Sequence, residues 1–404
     1  MDSPIIDGPV DGPFIDGPAP FGNINLSVVG LGTQYPSNIV GPDALDILSS
    51  RFYRDTPVMQ KVLGINRKSG IKTRPSVISL EHPLMNRKET PSITDQHNVF
   101  MSEGVPLAVS AARKAISEAK LDVSEITHIV ATTCTDTANP GYDHYVAKQL
   151  GLPVTVERVL LHGVGCSGGL AALRTAANLA LGHTARGKPA RVLCVALEVC
   201  TLLAKAELDL INDLQETRIG ACLFSDGASS VVLSNGIGNQ PKPIYELLGW
   251  EYSSIPEADD KLRFDADPTG WRVVLSPLVP KITSSVIQPT YNKLLESLPY
   301  LPAKYQKPSD FDWAMHPGGI SILKGTETIM GVSEEHLRAS YATYNQFGNT
   351  SSVSILSVLD RLRTKEMDSM AQGGRIRDHV VGCAFGPGIT IEMCMLKRVV
   401  GTQN

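Results

Sequence analysis

Apolar residues along this chain recur at two spacings. INLSVVGLG (24–32), HIVATTCT (128–135), RVLCVALEVC (191–200) and YELLGWEYSS (245–254) are short, apolar and rich in β-branched residues, which predicts buried strands. FDWAMHPGG (311–319) predicts a further strand that ends in a glycine-rich turn. Residues 104–120 carry apolar side chains at helical spacing, and SPLVPKITSSVIQPTYNKLLESL (276–298) contains a second helix. In Val156–Leu181, VERVLLHGVG reads as a strand and CSGGLAALRTAANLAL as a helix, with Leu170, Leu173, Ala177 and Leu181 on one face and Gly182 as its stop. ACLFSDGASSVVLSN (221–235) reads as two strands joined at the Asp226-Gly227 turn.

The pattern begins again near residue 241. YNQFGNTSSVSILSVLDRLR (344–363) repeats the small-residue junction seen at Cys166. In the closing stretch VVGCAFGPGITIEMCMLKRV (380–399), Phe385-Gly-Pro-Gly388 resembles Phe224-Ser-Asp-Gly227. A duplicated α/β unit is the expectation, with halves at 23–240 and 241–404. Residues 1–22 repeat Asp-Gly-Pro three times, a composition that holds neither a helix nor a central strand. They are expected to form a disordered or surface-draped tail, with Phe14 and Phe21 as its candidates for docking.

A chain of 404 residues has room for two average domains or one large α/β unit. Its net charge of −4 gives no global reason to expect nucleic acid or an anionic membrane as partner, so an anionic ligand requires a local basic patch. Arg51, Arg54, Lys61, Arg67, Lys68, Lys72 and Arg74 form one, with Asp55 the only acid between them. It reads as a solvated helix face or as a mouth that holds phosphates. The seven cysteines contain no CxxC pair, which argues against a zinc cage and a disulfide framework and for a reducing compartment. No stretch of 18 apolar residues and no basic-then-apolar leader is present, so the expected location is cytoplasmic, with no membrane span.

Cys166 opens a predicted helix at a turn lined by Gly163, Gly165, Gly168 and Gly169. Small neighbours let a substrate approach the sulfur, and a helix N-terminus favours the thiolate, which predicts a lowered thiol pKa. A buried, inert cysteine is the competing reading. His316 in AMHPGGI and Asn349 in FGNTSS sit at two further small-residue turns, where each alone has an ordinary structural use. Together the three side chains suit acyl transfer, with the imidazole supporting the thiolate and His plus Asn donating to an oxyanion.

In this order, RVLLHGVGCSGG, CLFSDGAS, WAMHPGG, FGNTSS and AFGPGITIE resemble the motifs of the thiolase superfamily. Specifically, they are similar to those of the type III polyketide synthases, the chalcone synthase family, in a form like its fungal members. The resemblance covers almost the whole chain from about residue 24. It implies a five-layered αβαβα thiolase-like fold of two like halves, a homodimer, no metal or organic cofactor, and acyl-CoA and malonyl-CoA as substrates. Carried over by motif, Cys166 is the nucleophile, His316 its partner, and His316 with Asn349 the site that drives decarboxylation.

The same resemblance assigns the CoA contacts to Lys61 and Lys68. A third family position, usually arginine, is Gly64 here, with Arg67 as its substitute. Pocket positions fall on Cys134, Cys200, Leu203, Phe264 and Ser351, and the position that reaches across the dimer on Asn139. Of the two phenylalanines that gate the plant pocket, Phe224 matches and the second is Val273. The smaller Val273 is expected to leave room for a long aliphatic starter, giving α-pyrone or resorcinol-type products. The rivals are a thiolase that uses Cys383, a ketoacyl synthase III fed by acyl carrier protein, and a non-catalytic acyl-CoA-binding protein. Thiolases typically place His where this chain has Asn349.

Overall fold

The computed structural model describes residues 20–239, 241–374 and 376–399, so the predicted tail lies outside the described residues except for its last positions. The first half runs β1 (Leu26–Gln34), β2 (Ile39–Val40), α1 (Ala44–Phe52), α2 (Pro57–Arg67), β3 (Arg74–Pro75), α3 (Ile93–Val99) and α4 (Val105–Glu118). It continues through β4 (His128–Thr132), α5 (Tyr142–Leu150), β5 (Glu157–Leu161), α6 (Gly168–Ala185), β6 (Arg191–Glu198), α7 (Leu203–Leu214) and β7 (Gly227–Ser234). The second half runs β8 (Tyr245–Ser254), β9 (Leu262–Asp267), β10 (Gly270–Leu275), α8 (Val279–Glu296), β11 (Asp312–Met315), α9 (Ile320–Met330) and α10 (Arg338–Phe347). It closes with α11 (Ser352–Leu362), α12 (Lys365–Ser369), β12 (His379–Gly386) and β13 (Thr390–Arg398).

Strand order shows the duplication directly. The main sheet reads β5-β4-β6-β7-β1 in the first half and β8-β13-β12-β11 in the second. In each half a parallel pair (β4 with β6, β11 with β12) is followed by two antiparallel pairs, and in the first half β5 adds a second parallel pairing to β4. The halves join where β1 meets β8 antiparallel, Leu26 opposite Leu247.

Side-chain alternation along these strands builds the layers. Ile129, Ala131, Leu193 and Val195 pack with α4 on one face, whereas Val130, Val192 and Cys194 turn to α6 and α11 on the other. In the second half Val380 faces this central layer, and Val381 and Trp313 pack with Ile287, Tyr291 and Leu294 of α8. The sequence α, β, α, β, α is the thiolase-like five-layered arrangement. Because α6 lies between two sheets, it buries Leu170 to Leu173, Ala176, Ala177 and Ala180 rather than one stripe.

Two local expectations are corrected. Gly182 does not end α6, which continues to Ala185 and stops at Gly187, whose φ of +64° is the left-handed conformation that glycine adopts without strain. Asp226-Gly227 is not a hairpin turn. Residues Gly220–Cys222 form a short 3-10 turn, and the buried Asp226 carboxylate accepts from the backbone N–H groups of Val77 and Thr201 at 2.8 Å and from the Thr201 hydroxyl at 2.6 Å. The side chain anchors three chain segments, and only β7 follows.

Phe21 docks as the sequence allowed, its ring 4.7 Å from that of Trp250 and its N–H donating to the Ser297 carbonyl. No helix among the described residues is long and apolar enough to cross a membrane.

Candidate active site

The two central helices α6 and α11 pack through small residues. A Cβ on Gly168 would lie 2.4 Å from Thr132 Oγ1, and one on Gly169 would lie 2.5 Å from the Ser352 carbonyl oxygen. Glycines here let the N-termini of α6 and α11 stand side by side. The turn before α6 needs them too: Gly165 has φ of +47°, and a Cβ there would meet Pro387 of the Phe385-Gly-Pro-Gly388 loop at 2.5 Å.

The consequence is a cluster around Cys166. Its sulfur lies 3.4 Å from Ser351 Oγ, which lies equally 3.4 Å from Cys134 Sγ. Ser351 adopts φ of +49° and ψ of −125°, a conformation disfavoured for any residue with a Cβ and typical of functional turns.

Asn349 is fixed at backbone and side chain. Its N–H donates to Leu223 and its carbonyl accepts from Ser225. Its Oδ1 accepts from the Ser351 N–H at 2.8 Å, so Nδ2 is the free donor and reaches the Gly318 carbonyl at 3.3 Å.

Gly318 connects Asn349 to His316, since a Cβ on it would lie 3.2 Å from His316 Nε2. His316 follows β11, its N–H donating to the Cys383 carbonyl, and its buried Nδ1 has no partner among the described residues. The strand that presents it is anchored by a fully buried, two-pronged pair between Arg338 and Asp312, both bonds 2.7 Å.

Burial opposes charge on both groups. It pushes the Cys166 thiol up to about 12, against the hydrogen bond from Ser351 and with the nearby Glu198 adding to the rise. It pushes the His316 imidazole down to about 3. The expected lowering of the thiol pKa by the helix N-terminus is therefore corrected for each group taken alone: loss of water outweighs the helix end.

Glu198 is a residue that the sequence motifs do not single out. It is fully buried on β6 and accepts from Ser352 Oγ, the Cys134 N–H at 3.1 Å, Cys134 Sγ at 3.3 Å and Thr135 Oγ1 at 3.1 Å. Desolvation raises its pKa. Only a tertiary contact brings it beside the cysteines, and LEVC carries no signal for that.

Beside this cluster lies a cavity of about 60 Å³, lined by Cys200, Leu203, Ala204, Phe224, Leu45, Leu48, Ile78 and Met85 among others. Phe224 meets Phe264 edge-on at 6.2 Å. Val273, on β10, is buried against Cys200, Leu203 and Phe224 and does not line the cavity. This cavity reaches α1 through Ala44, Leu45 and Leu48.

The basic stretch is narrower than its sequence suggests. Arg74 is buried, donating to Asn66 Oδ1 at 2.8 Å, and Arg67 pairs with Asp46, which lies just before the stretch. Lys61, Lys68 and Lys72 remain exposed. Lys72 N–H donates to the Asn345 carbonyl and Ile71 packs on Gly348, so this loop borders the turn that carries Asn349. Asn139 is exposed on the loop between β4 and α5. Cys383 is fully buried in an apolar cluster with Met315, Phe385 and Ile391, and burial pushes its thiol pKa up.

Residues 22–239 match the family description "Chalcone and stilbene synthases, N-terminal domain", and residues 250–400 its C-terminal counterpart. The chain is 38% identical to acylalkylpyrone synthase csyB of Aspergillus oryzae over 93% of this chain and 94% of the relative. It is 40% identical to type III polyketide synthase pspB of Penicillium soppii over 92% and 96%. Among solved structures, a type III pentaketide synthase from Neurospora crassa superposes with a TM-score of 0.92 at 61% identity, covering 93% of this chain and all of that one. CsyB complexed with CoA-SH superposes with a TM-score of 0.88 at 38% identity and the same coverage.

Proposed function

The chain belongs to the chalcone and stilbene synthase family, and from that premise we propose how its own residues serve the reaction and which substrates they take. It is a type III polyketide synthase, an acyltransferase that extends an acyl-CoA starter with malonyl-CoA and cyclises the product to an α-pyrone or a resorcinol-type ring. The observation that carries the residue assignment is the convergence of Cys166, Asn349 and His316 on Ser351 and Gly318.

Cys166 is the acyl carrier. At rest thiol and imidazole are both neutral, because burial disfavours either charge alone. Proton transfer from sulfur to His316 creates the two charges together, and their attraction offsets part of the desolvation cost. The thiolate attacks the starter thioester, CoA leaves as its thiolate, and the imidazolium returns the proton to it. One C–S bond forms as another breaks.

Malonyl-CoA then loses CO2, and the electron pair of the broken C–C bond becomes the thioester enolate. Asn349 Nδ2 and the His316 ring donate to the enolate oxygen, where preorganised donors have their largest effect. The enolate carbon attacks the acyl-cysteine carbonyl, the C–S bond to Cys166 breaks as its thiolate leaves, and the β-ketoacyl-CoA formed is available for reloading. Exposed Lys61 and Lys68 hold CoA phosphates at the mouth, with Lys72 beside them and Arg67 neutralised by Asp46.

An aliphatic starter is favoured, because the cavity at Cys200, Leu203 and Phe224 is lined mostly by apolar side chains. The acylalkylpyrone synthase and pentaketide synthase among its relatives support alkyl pyrone or resorcinol-type products. A homodimer is supported by β5, an edge strand with one unpaired side and half-exposed Val159 to Leu161. Asn139 is its proposed cross-dimer residue. The reaction itself needs no cofactor beyond the CoA thioesters, and a cytoplasmic location fits these substrates.

Incubation with an acyl-CoA series and malonyl-CoA, followed by mass spectrometry, tests the reading. Multiply extended pyrones or resorcinols support it; a single condensation would favour a ketoacyl synthase III-like activity instead.

A further inference from the structure

We propose that His128, His183 and Glu157 form a binding site for a divalent transition cation of the zinc type, clamping the far end of α6 to the starts of β4 and β5. Their ligand atoms all lie within 4.8 Å of one another. His128 and Glu157 open adjacent parallel strands in register, with His128 Nε2 3.8 Å from Glu157 Oε2. The His183 ring, from the last turn of α6, meets that of His128 at 4.6 Å and 75°.

Hydrogen bonding leaves both imidazoles ready to ligate. His183 Nδ1 lies 3.1 Å from the Pro189 carbonyl, which only accepts, so Nδ1 carries the proton and Nε2 the lone pair. His128 Nδ1 lies 2.7 Å from Thr127 Oγ1, which accepts from the Arg191 N–H at 3.0 Å and lies 3.2 Å from the Arg191 carbonyl. In the tautomer that ligates, the Thr127 hydroxyl donates to that carbonyl and His128 Nδ1 donates to Thr127, which leaves Nε2 bare toward Glu157. Metal-ligating histidines are held in this way, with the second ring nitrogen donating to an outer partner.

Two bare nitrogens and a carboxylate gathered together are all acceptors, an arrangement that a cation stabilises. A proton on His128 is the alternative, and burial with the neighbouring His183 opposes it, lowering the His128 pKa against the pull of Glu157. The C-terminal end of α6 adds the negative end of its macrodipole.

Two imidazoles and a carboxylate suit zinc, with bonds of about 2.0–2.2 Å that set ligand atoms about 3.3 Å apart. Closing from a spacing of at most 4.8 Å asks for side-chain rotation, for which Glu157, 69% exposed, has room. The site lies on the sheet face covered by α6, so it is compatible with pairing of the free β5 edge. At about 1.5 Å per residue, roughly 25 Å of helix separates His183 from Cys166, so this site is distinct from the catalytic one.

The full chain, stripped by chelator, is titrated with zinc chloride by calorimetry, alongside His183→Ala and Glu157→Gln. Wild type is expected to take up one equivalent that His183→Ala lacks and that Glu157→Gln binds at least about tenfold more weakly. Zinc is also expected to raise the thermal midpoint of wild type and not that of His183→Ala. All three proteins share the seven cysteines, so the differences report on this site. Equal uptake by all three, or no uptake by wild type, overturns the proposal. Glu157→Gln changes an exposed side chain and keeps the test valid if His183→Ala folds poorly.

Discussion

The Ser351 hydroxyl stands 3.4 Å from the Cys166 sulfur, held there by a backbone in the left-handed region. Ser351 and Cys166 come from corresponding places in the two halves, the turns that lead into α11 and α6. Duplication thus explains the site: packing two like helices N-terminus to N-terminus brings a cysteine of one half against the asparagine turn of the other.

Cys166→Ala is expected to abolish polyketide formation. Intact-protein and peptide mass spectrometry after incubation with acyl-CoA should find the acyl group on Cys166. An adduct on Cys383 would return the thiolase reading, although that thiol lies in an apolar core cluster.

Asn349→Ala removes one preorganised donor, which typically costs about 10²–10³ in rate. Decarboxylation of malonyl-CoA should fall by that factor while acyl loading of Cys166 is largely retained. Normal CO2 release by the variant would remove Asn349 from the mechanism. Because Asn349 Oδ1 also holds the Ser351 N–H, Asn349→Asp serves as a control that keeps this acceptor while losing the Nδ2 donor.

His316→Ala should make Cys166 harder to ionise. Without the imidazole to take the proton, the sulfur must become a lone buried thiolate, and burial pushes that ionisation up to about 12. Iodoacetamide labelling of Cys166 should therefore need a higher pH in His316→Ala than in wild type. Superimposable pH profiles would show that the two groups do not share a proton.

Lys61→Ala with Lys68→Ala should raise KM for both CoA substrates and flatten its salt dependence, since exposed charges act through a screened field. Arg67→Ala should change KM much less, because Asp46 already neutralises that guanidinium. An unchanged KM in the lysine double variant would restore the reading of a solvated helix face.

How much of this was legible in the chain depended on the range of the interactions involved. YELLGWEYSS became β8 at the same boundaries, because a strand buried on one face writes its own alternation. The three catalytic candidates stood in recognisable turns, since glycine is required wherever backbones approach closely. Asp226 and Glu198 escaped because their partners, Val77 and Thr201 for one and Ser352 and Cys134 for the other, are remote in sequence. The partner of Arg67, Asp46, lies twenty-one positions upstream, beyond the reach of the local charge pattern. Val273 is read as space because it is small, and what packs on it, Cys200, Leu203 and Phe224, is remote in sequence.

That last point decides how starter length should be selected. The cavity runs past Cys200, Leu203 and Ala204 toward Leu45, Leu48 and Met85, whereas Val273 is already packed against Phe224. Each buried methylene is worth about 0.8 kcal/mol, or roughly fourfold in kcat/KM, so preference should climb with acyl length until the cavity ends. Ala204→Phe fills the path of the tail, and overpacking costs about 1–3 kcal/mol, so long starters should lose activity while acetyl-CoA is spared. Val273→Phe instead crowds the Phe224 cluster and should lower activity on all starters alike. Steady-state kinetics of both variants on acetyl- through stearoyl-CoA separates these outcomes. A length-selective loss in Val273→Phe, with none in Ala204→Phe, would put the tail on the other side of Phe224.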